Sequence, residues 1–235
     1  MTSRSGATAV ALVPAAGRGE RLGFGMPKAL VPVRGVPLLI HAVRGLLNAG
    51  CVRHVVVAAP PDMLAATAAL LAAADVAADV VAGGVDRTAS VRLALRHALD
   101  VVPDARVVLV HDAARAFTPP EVIRAVVAAV EAGAPAVIPV LPMADTVKRV
   151  DLDGVVHSTI ERAALRIVQT PQGFAVRTLT DAYANAGDSA TDDAGLVEKS
   201  GVPVSTAPPP SGSLCATRST WCRMPGWCWY MTQPA

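Results

Sequence analysis

Three features of the sequence predict an α/β fold with a doubly wound, mostly parallel, Rossmann-like sheet. Short apolar runs typical of buried strands alternate with segments whose apolar residues recur at helical spacing. Glycine-rich or polar stretches directly follow several of these runs. The chain has 235 residues, of which 52% are apolar, enough to bury the core of one domain. Such alternation builds right-handed βαβ units, so the strands should be parallel and their carboxyl ends should share one edge.

The first predicted units follow directly from apolar periodicity. Residues 9–13 form a continuous apolar run, which is typical of a strand buried on both faces. Apolar residues recur at helical spacing over 37–48, and Gly50 suits the C-terminal cap of that helix. The run 54–59 predicts the second strand and residues 62–74 the second helix.

The same alternation continues to residue 141. We predict strands over residues 76–82, 106–110 and 136–141 and helices over residues 88–99 and 119–132. Thr118 is the predicted N-cap of the last helix, because threonine is favoured there and proline suits the first turn that follows.

Residues 143–166 interrupt the alternation and predict a protruding β-hairpin arm. Residues 146–150 and 155–160 alternate in polarity, and Asp151-Leu152-Asp153-Gly154 is a turn sequence. An isolated two-stranded ribbon is only marginally stable in water. We therefore expect the arm to pack against a second subunit, which makes a homodimer the expected assembly.

The first strand runs directly into Pro14-Ala15-Ala16-Gly17-Arg18-Gly19-Glu20-Arg21-Leu22-Gly23-Phe24-Gly25-Met26-Pro27-Lys28. Glycines let backbone N–H groups approach an anion closely, and Arg18, Arg21 and Lys28 add positive charge. The stretch lacks the hydroxyl residue that follows the lysine of a Walker A loop, and its glycines are spaced one residue too far apart for a dinucleotide fingerprint. A triphosphate is the expected ligand, and an ordinary strand-to-helix turn with solvated charges is the alternative.

Four sequence blocks together resemble one enzyme family. Residues 14–28 resemble the opening signature of nucleotidyltransferases of the sugar-nucleotide pyrophosphorylase type. Residues 109–115 (Leu-Val-His-Asp-Ala-Ala-Arg), 169–173 (Gln-Thr-Pro-Gln-Gly) and 191–194 (Thr-Asp-Asp-Ala) narrow the resemblance to the 2-C-methyl-D-erythritol 4-phosphate cytidylyltransferases. The blocks follow that family's order and spacing over residues 8–206.

The resemblance implies a fold of the nucleotide-diphospho-sugar transferase type and a reaction. CMP would pass from CTP to methylerythritol phosphate, giving 4-diphosphocytidyl-2-C-methyl-D-erythritol and pyrophosphate in non-mevalonate isoprenoid biosynthesis. Mg²⁺ or another divalent cation would bridge phosphate oxygens. The arm would reach across a dimer and contribute to the partner's site.

The resemblance also implies roles for individual residues. Arg21 and Lys28 would be catalytic, because they match positions that stabilise the crowded negative charge of the transition state. The implied nucleotide-binding residues are Ala15, Ala16, Gly17, Gly19, Gly83, Gly84, Ser90 and Asp112. The implied substrate-binding residues are Arg115, Thr146, Arg162, Thr170 and Thr191. Asp112 is also a candidate metal ligand.

Simpler explanations exist for several of these residues. Asp112 could cap a helix or pair with Arg115, and His111 is expected to make a structural hydrogen bond rather than to act as a base. Thr191 could cap a helix over residues 192–199, and the two aspartates that open that helix would favour its dipole in any case.

Composition excludes several other classes of protein. The net charge of +2 is too small to indicate nucleic acid or a membrane surface as a partner. The longest apolar stretch, residues 63–74, is shorter than the roughly 20 residues of a membrane span. Cleavage of a secretory signal would separate the first strand from its glycine loop. We therefore expect a cytoplasmic protein.

The sequence changes character at residue 207, so we expect a domain over residues 1–206 and a disordered or frame-shifted tail over 207–235. The tail holds all three Trp, three of the four Cys and no Asp, Glu or Lys. The resemblance implies a lysine-bearing strand and a closing helix there, and neither is present. Two alternatives stay open: transfer to another polyol phosphate, such as ribitol 5-phosphate, or a catalytically impaired nucleotide-binding dimer.

Overall fold

The computed structural model describes residues 7–17, 26–185 and 192–207. Its strands are β1 (Ala9–Pro14), β2 (Pro32–Val33), β3 (Val36–Pro37), β4 (Val52–Ala59), β5 (Asp79–Ala82), β6 (Val107–Val110), β7 (Ala136–Ile138), β8 (Val140–Pro142), β9 (Val147–Val150), β10 (Val156–Ile160), β11 (Arg166–Val168), β12 (Gln172–Ala175) and β13 (Val204–Thr206). Its α-helices are α1 (Leu38–Asn48), α2 (Leu64–Ala73), α3 (Arg87–Val101), α4 (Pro120–Glu131), α5 (Val176–Ala184) and α6 (Asp193–Lys199). None of these helices is long and apolar enough to cross a membrane.

Over the described ranges, seven strands form the central sheet in the order β13-β7-β12-β6-β1-β4-β5. β1 pairs in parallel with β4 and β6, β4 with β5, and β13 with β7. β12 lies antiparallel between β6 and β7. The prediction of a mostly parallel α/β sheet is confirmed, with β12 as the antiparallel member.

The sheet separates two apolar layers, which is what makes the fold doubly wound. On β1, Ala9, Ala11 and Val13 face one side, where α1, α2 and α4 pack, while Val10 and Leu12 face the other side, where α3, α5 and α6 pack. Successive side chains of a strand point to opposite faces. A continuous apolar run is therefore what a strand covered on both faces requires.

The hairpin prediction is also confirmed. β9 and β10 pair antiparallel with each other and form a two-stranded sheet apart from the central one. Asp151 Oδ1 accepts hydrogen bonds from the backbone N–H groups of Asp153 and Val155, at 3.1 and 2.8 Å, which fixes the turn. Most side chains of the hairpin are exposed.

Several local predictions were wrong or incomplete. Thr118 does not cap α4, because Pro119 occupies the N-cap position and the Thr118 hydroxyl instead donates to the carbonyls of Arg115 and Thr170. β5 begins only at Asp79, because it is an edge strand that pairs with β4 alone. The strands β8, β11, β12 and β13 and the helix α5 went partly or wholly unpredicted.

Candidate active site

The carboxyl ends of β1, β4, β5 and β6 lie along one edge of the sheet, the edge at which parallel α/β sheets bind ligands, and we call this region the crevice. Three backbone hydrogen bonds extend the strand pairing just beyond the strand ends: Ala15 N to Ala58 O at 2.8 Å, Gly83 N to Ala59 O at 2.8 Å, and His111 N to Leu12 O at 2.9 Å. The loops after β1, β5 and β6 therefore leave the same edge of the sheet. The described residues that follow β1, β5 and β6 thus lie at one edge of the sheet, as the alternation of strands and helices predicts.

Gly83 lies in contact with the glycine loop after β1. A Cβ on Gly83 would come 2.3 Å from the Cβ of Ala16 and 3.1 Å from the Oγ of Ser90. Both distances are too short, so only glycine lets the two loops approach so closely. Gly84 is equally constrained, since its Cβ would lie 2.3 Å from the Cβ of Ala89.

Ser90 fixes the loop that connects β5 to α3. Its hydroxyl accepts from the N–H of Gly84 at 3.0 Å and donates to the carbonyl of Asp86 at 2.7 Å. Asp86 caps α3 by accepting from Ala89 N at 2.7 Å. Because its hydroxyl both donates and accepts, Ser90 fixes the backbone of Gly84 relative to the start of α3.

Lys28 opens a short 3₁₀ turn, Lys28–Leu30, in which Leu30 N donates to Pro27 O at 2.9 Å. Ala29 and Leu30 belong to the same apolar cluster as Ala15, which directly follows β1, and Pro27 lies beside them. The turn therefore holds the base of Lys28 at the rim of the crevice. Among the residues that the structure describes, no carboxylate lies within ion-pair distance of its ammonium group.

Asp112 lies directly after β6 and is partly exposed to the crevice. Its carboxylate is 3.6 Å from Arg87 Nη2 and 3.9 Å from Arg115 Nε. Its backbone N–H donates to Thr170 Oγ1 at 3.2 Å. The expected pairing with Arg115 is therefore present, but as a long contact that leaves the carboxylate able to bind a ligand.

Arg115 and Thr170 connect this loop to the segment before β12. Arg115 donates through Nη1 to Gln169 Oε1 and through Nη2 to the carbonyl of Val168 at 3.1 Å. Thr170 is 4% exposed, and its hydroxyl lies 3.1 Å from His111 Nδ1. In this chain, the Thr170 hydroxyl is directed toward the loop after β6 rather than toward solvent.

His111 is buried and neutral at physiological pH. The pKa of its imidazole is lowered to about 4, mainly because burial disfavours the charged form; the charge of Asp112 opposes this shift and that of Arg115 adds to it. The side chain is 1% exposed. Its contact with Thr170 agrees with the structural role expected from the sequence.

The structure adds two residues that sequence reasoning missed, Arg87 and Asp193. Arg87 Nη2 lies 2.7 Å from Asp193 Oδ2, and the Asp193 side chain has no exposed surface. Tyr183 donates its hydroxyl to the other carboxylate oxygen of Asp193. The sequence offered one sign that Arg87 has a special role: it lies at the start of a predicted helix, where the helix dipole disfavours a cation.

The N-cap of α6 is Asp192, which accepts from Gly195 N at 2.9 Å. Gln172 on β12 holds this helix start, because its Nε2 donates to Asp192 Oδ2 at 2.8 Å and its Oε1 accepts from Ala194 N at 2.9 Å. Asp192, and not Thr191 as the sequence suggested, is therefore the N-cap residue of α6. Hydrogen bonds from Gln172 thus attach residues 192–194 to β12, the strand that is paired with β6.

Thr146 and Arg162 lie elsewhere, at the base of the arm. Arg162 follows β10 and donates through Nη1 to the carbonyl of Ala144. Both side chains are exposed. No described hydrogen bond or ion pair joins either of them to the crevice of the same chain.

Several residues with predicted roles lie outside the described residues: Arg18, Gly19, Arg21 and Thr191. The same holds for the tail from residue 208. The adjoining Gly17 is exposed, and a Cβ there would meet nothing within 4 Å. Within the part of the chain that the structure describes, no group of three or more His, Cys, Asp or Glu side chains is arranged to hold a metal ion. Asp112 keeps 39% of its side chain exposed, whereas the neighbouring Asp193 is fully buried, so Asp112 is the carboxylate that could reach a cation held by the oxygens of a nucleotide.

The fold and the crevice define a class of protein, an α/β nucleotidyltransferase. Comparison with known proteins identifies the family within this class. The model of the family described as IspD: 2-C-methyl-D-erythritol 4-phosphate cytidylyltransferase matches residues 9–220. The chain therefore belongs to this family.

Individual relatives agree with the family assignment. The chain is 67% identical over 199 residues to the 2-C-methyl-D-erythritol 4-phosphate cytidylyltransferase of Saccharopolyspora erythraea, covering 85% of this chain and 89% of the relative. It is 55% identical over 208 residues to the protein of that name from Frankia casuarinae, covering 88% and 76%. The crystal structure of the Thermus thermophilus enzyme matches with a TM-score of 0.70 and 32% identity, over 91% of this chain and 94% of that one.

Proposed function

We propose that this chain transfers CMP from CTP to 2-C-methyl-D-erythritol 4-phosphate and releases pyrophosphate. The observation that carries the proposal is the 67% identity to a relative of that name across most of both chains. The geometry supports it, because the crevice combines a surface of small residues, a lysine at its rim and a half-exposed carboxylate. The reaction is a nucleotidyl transfer.

The bond changes define what the crevice has to do. An oxygen of the methylerythritol phosphate attacks the α-phosphorus of CTP, and the bond from that phosphorus to the bridging oxygen of the β-phosphate breaks. Negative charge is crowded around the α-phosphate in the transition state, so positioning and charge neutralisation supply most of the catalysis. No protein base is required, because the attacking phosphate oxygen is already anionic.

Individual residues have proposed parts in this reaction. Lys28 neutralises the phosphates from the rim of the crevice, and Arg21, which lies outside the described residues, has the same role. The proposed site for the cytosine and the phosphates combines Ala15, Ala16, Gly17 and Gly19 of the glycine-rich sequence stretch with Gly83 and Gly84 after β5 and Ser90 in the first turn of α3. A pyrimidine edge suits backbone hydrogen-bonding groups on a surface without large side chains.

A divalent cation, Mg²⁺ in our proposal, fits this donor set. When bound, it supplies charge neutralisation at the triphosphate oxygens. Asp112 is the residue of the described chain that would hold it or receive a substrate hydroxyl. Arg115 and Thr191 are the proposed contacts of the acceptor. The buried Thr170 hydroxyl, which was also expected to bind the acceptor, instead supports Asp112 by accepting from its backbone N–H. We propose the cytoplasm as the place of this reaction.

Pyrophosphate release from CTP, Mg²⁺ and methylerythritol phosphate tests the proposal directly. We expect turnover by the wild type and a loss of at least about 100-fold in kcat for Lys28→Ala, because a phosphate-neutralising charge is removed. Arg34→Ala, a loop cation that follows β2, is the matched control and should keep full activity. Equal activity of Lys28→Ala and wild type would contradict the assignment of Lys28.

Two alternatives have distinct outcomes in the same assay. Faster turnover with ribitol 5-phosphate than with methylerythritol phosphate would indicate a different polyol acceptor. CTP binding without pyrophosphate release would indicate a catalytically impaired binding protein. The family membership of the chain favours methylerythritol phosphate over both.

We also propose that the chain forms a homodimer through the arm and that Thr146 and Arg162 act in the partner's site. Several apolar side chains of the hairpin are exposed within one chain: Val150, Leu152, Val155 and Val156. Exposed apolar surface concentrated on one small element indicates an interaction site. Arg162 lies at the base of this element, with no described contact to its own crevice.

Mixing two inactive variants tests the shared site. Lys28→Ala and Arg162→Ala should each be inactive alone, and after subunit exchange one of the two sites in each mixed dimer should be intact. Random mixing of a two-fold symmetric dimer then restores about a quarter of wild-type activity. No restoration, with exchange verified by native mass spectrometry, would contradict a site built across two subunits.

A further inference from the structure

Arg87 occupies a position that its own helix does not favour. It is the first residue of α3, directly after the N-cap Asp86. The partial positive charge of a helix N-terminus repels a cation. The reason for an arginine here must therefore lie in what its side chain contacts.

The guanidinium of Arg87 is bound to a buried carboxylate. Its Nη2 lies 2.7 Å from Asp193 Oδ2, and the side chain of Asp193 is fully buried. The other oxygen of Asp193 accepts from Tyr183. Burial alone would lower the pKa of Arg87, but attraction to Asp193, and secondarily to Asp112, raises it above its usual value. Burial and the charge of Asp193 also raise the pKa of the Tyr183 phenol. Arg87 is therefore a permanent cation fixed by one carboxylate.

The same Nη2 atom faces the crevice. It lies 3.6 Å from Oδ1 of Asp112, whose other oxygen lies 3.9 Å from Arg115 Nε. The Asp112 side chain is 39% exposed, in contrast to Asp193. Arg87 thus connects a buried, immobile carboxylate to one that is open to a ligand.

Stability alone is a weak reason for this arrangement. A buried ion pair contributes little net stability over apolar residues of the same size, because desolvation offsets the attraction. Asp193 requires a partner, but it does not require that partner to reach Asp112 as well. The second contact indicates a task at the crevice.

We propose that Arg87 is a positioning residue, which holds the carboxylate of Asp112 in its working orientation and links it to the cytosine-site loop that starts at Gly83. The proposal rests on the transfer reaction proposed above. Asp112 lies between two guanidinium groups, and the loss of one leaves it free to close on Arg115. The carboxylate would then turn away from the ligand. Asp112 would act on the substrates, whereas Arg87 would act only through Asp112.

A double-mutant cycle separates this role from a purely structural one. Arg87→Met should lower kcat by about 30- to 100-fold, the usual cost of a misplaced catalytic group. In an Asp112→Asn background, the same change should lower kcat by no more than about twofold. Arg87→Lys, which keeps the charge, should recover about tenfold of the loss. Arg96→Met, an exposed arginine on the same helix, should leave kcat unchanged.

A further variant covers the case in which Arg87→Met does not fold. Arg87→Met combined with Asp193→Asn leaves no buried, unpaired charge, and the cycle with Asp112→Asn is then repeated in that background. Fold-losses that are equal within about threefold with and without Asp112 would overturn the proposal, since independent effects multiply. A smaller loss in the Asp112→Asn background would support it.

Failure of the proposed reaction is recognised separately. If the wild type releases no pyrophosphate, the proposed function fails, and the cycle is measured on the dissociation constant for CTP by calorimetry. Coupling between Arg87 and Asp112 there supports the positioning role, and additive effects or no CTP binding overturn it.

Discussion

The crevice and the arm differ in how their side chains are supported. At the crevice, Gly83, Ser90 and Thr170 are held by contacts within the chain, and the important hydrogen bonds are buried or half-buried. On the arm, the hydrogen bonds lie in solvent, as between His157 Nε2 and Asp151 Oδ2 at 2.8 Å, and apolar side chains such as Leu152 are exposed. The described part of the crevice is thus held by contacts within one chain, whereas the arm presents apolar surface that a packing partner would cover.

The largest expected effect tests the tight packing of the crevice. Gly83→Ala places a Cβ 2.3 Å from that of Ala16, so one of the two loops must shift. We expect the affinity for CTP to fall by about 100-fold, or about 3 kcal/mol, in titration calorimetry. Gly45→Ala in α1 is the control, because its Cβ would have no neighbour closer than 3.9 Å. Unchanged CTP affinity in Gly83→Ala would show that the two loops do not need this contact.

A second prediction uses pH to compare a crevice histidine with an arm histidine. The pKa of His111 is lowered from 6.5 to about 4 in the folded protein. Between these values the unfolded chain binds a proton that the folded chain does not, so the stability present above pH 6.5 is lost as the pH falls toward 4. The contribution is about 3 kcal/mol.

Urea unfolding between about pH 7 and pH 4, without nucleotide or divalent ions, measures this effect. His111→Asn should remove that part of the pH dependence, although it lowers stability at neutral pH. His157→Asn on the exposed arm should retain the wild-type slope. The same slope in His111→Asn and wild type would mean that the buried imidazole is not the group responsible.

The smallest effect is expected on the arm. Asp151→Asn weakens the contact with His157 and the acceptance of two backbone N–H groups in the turn. These groups are in solvent, so the midpoint of thermal unfolding should fall by less than about 2 °C. CTP affinity should stay unchanged. A clear loss of CTP affinity in Asp151→Asn would show that the arm of a chain supports nucleotide binding, contrary to the difference between arm and crevice described above.

Sequence periodicity predicted the part of the fold that alternates regularly. β1, β4 and β6 are apolar runs buried on both faces, and the turn at Asp151 has its typical residues. β12 escaped prediction because Gln-Gly-Phe-Ala has neither alternation nor β-branched residues. Gly173 is required there by packing, since its Cβ would lie 2.3 Å from Val126 Cγ1 on α4. That contact joins residues distant in the chain and is invisible to a local pattern.

The sequence predicted those residues of the candidate site that directly follow a predicted strand. Gly83, Gly84 and Asp112 followed from that rule and from the family resemblance. Arg87 and Asp193 did not, because their importance lies in a contact between the start of α3 and the start of α6, more than 100 residues apart in sequence. Likewise, the cap of α6 depends on Gln172, which a local reading of residues 191–194 does not include.

The position of β12 has a consequence for the newly made chain. β6 and β7 are both synthesised well before β12, yet they become neighbours in the sheet only through it. Until residue 175 has emerged from the ribosome, each keeps an unpaired edge, which is the kind of surface that chaperones bind and that aggregates form on. Gln172 and Thr170 arrive with the same segment. The contacts of Thr170 with Asp112 and His111 therefore form only once the sheet is nearly complete.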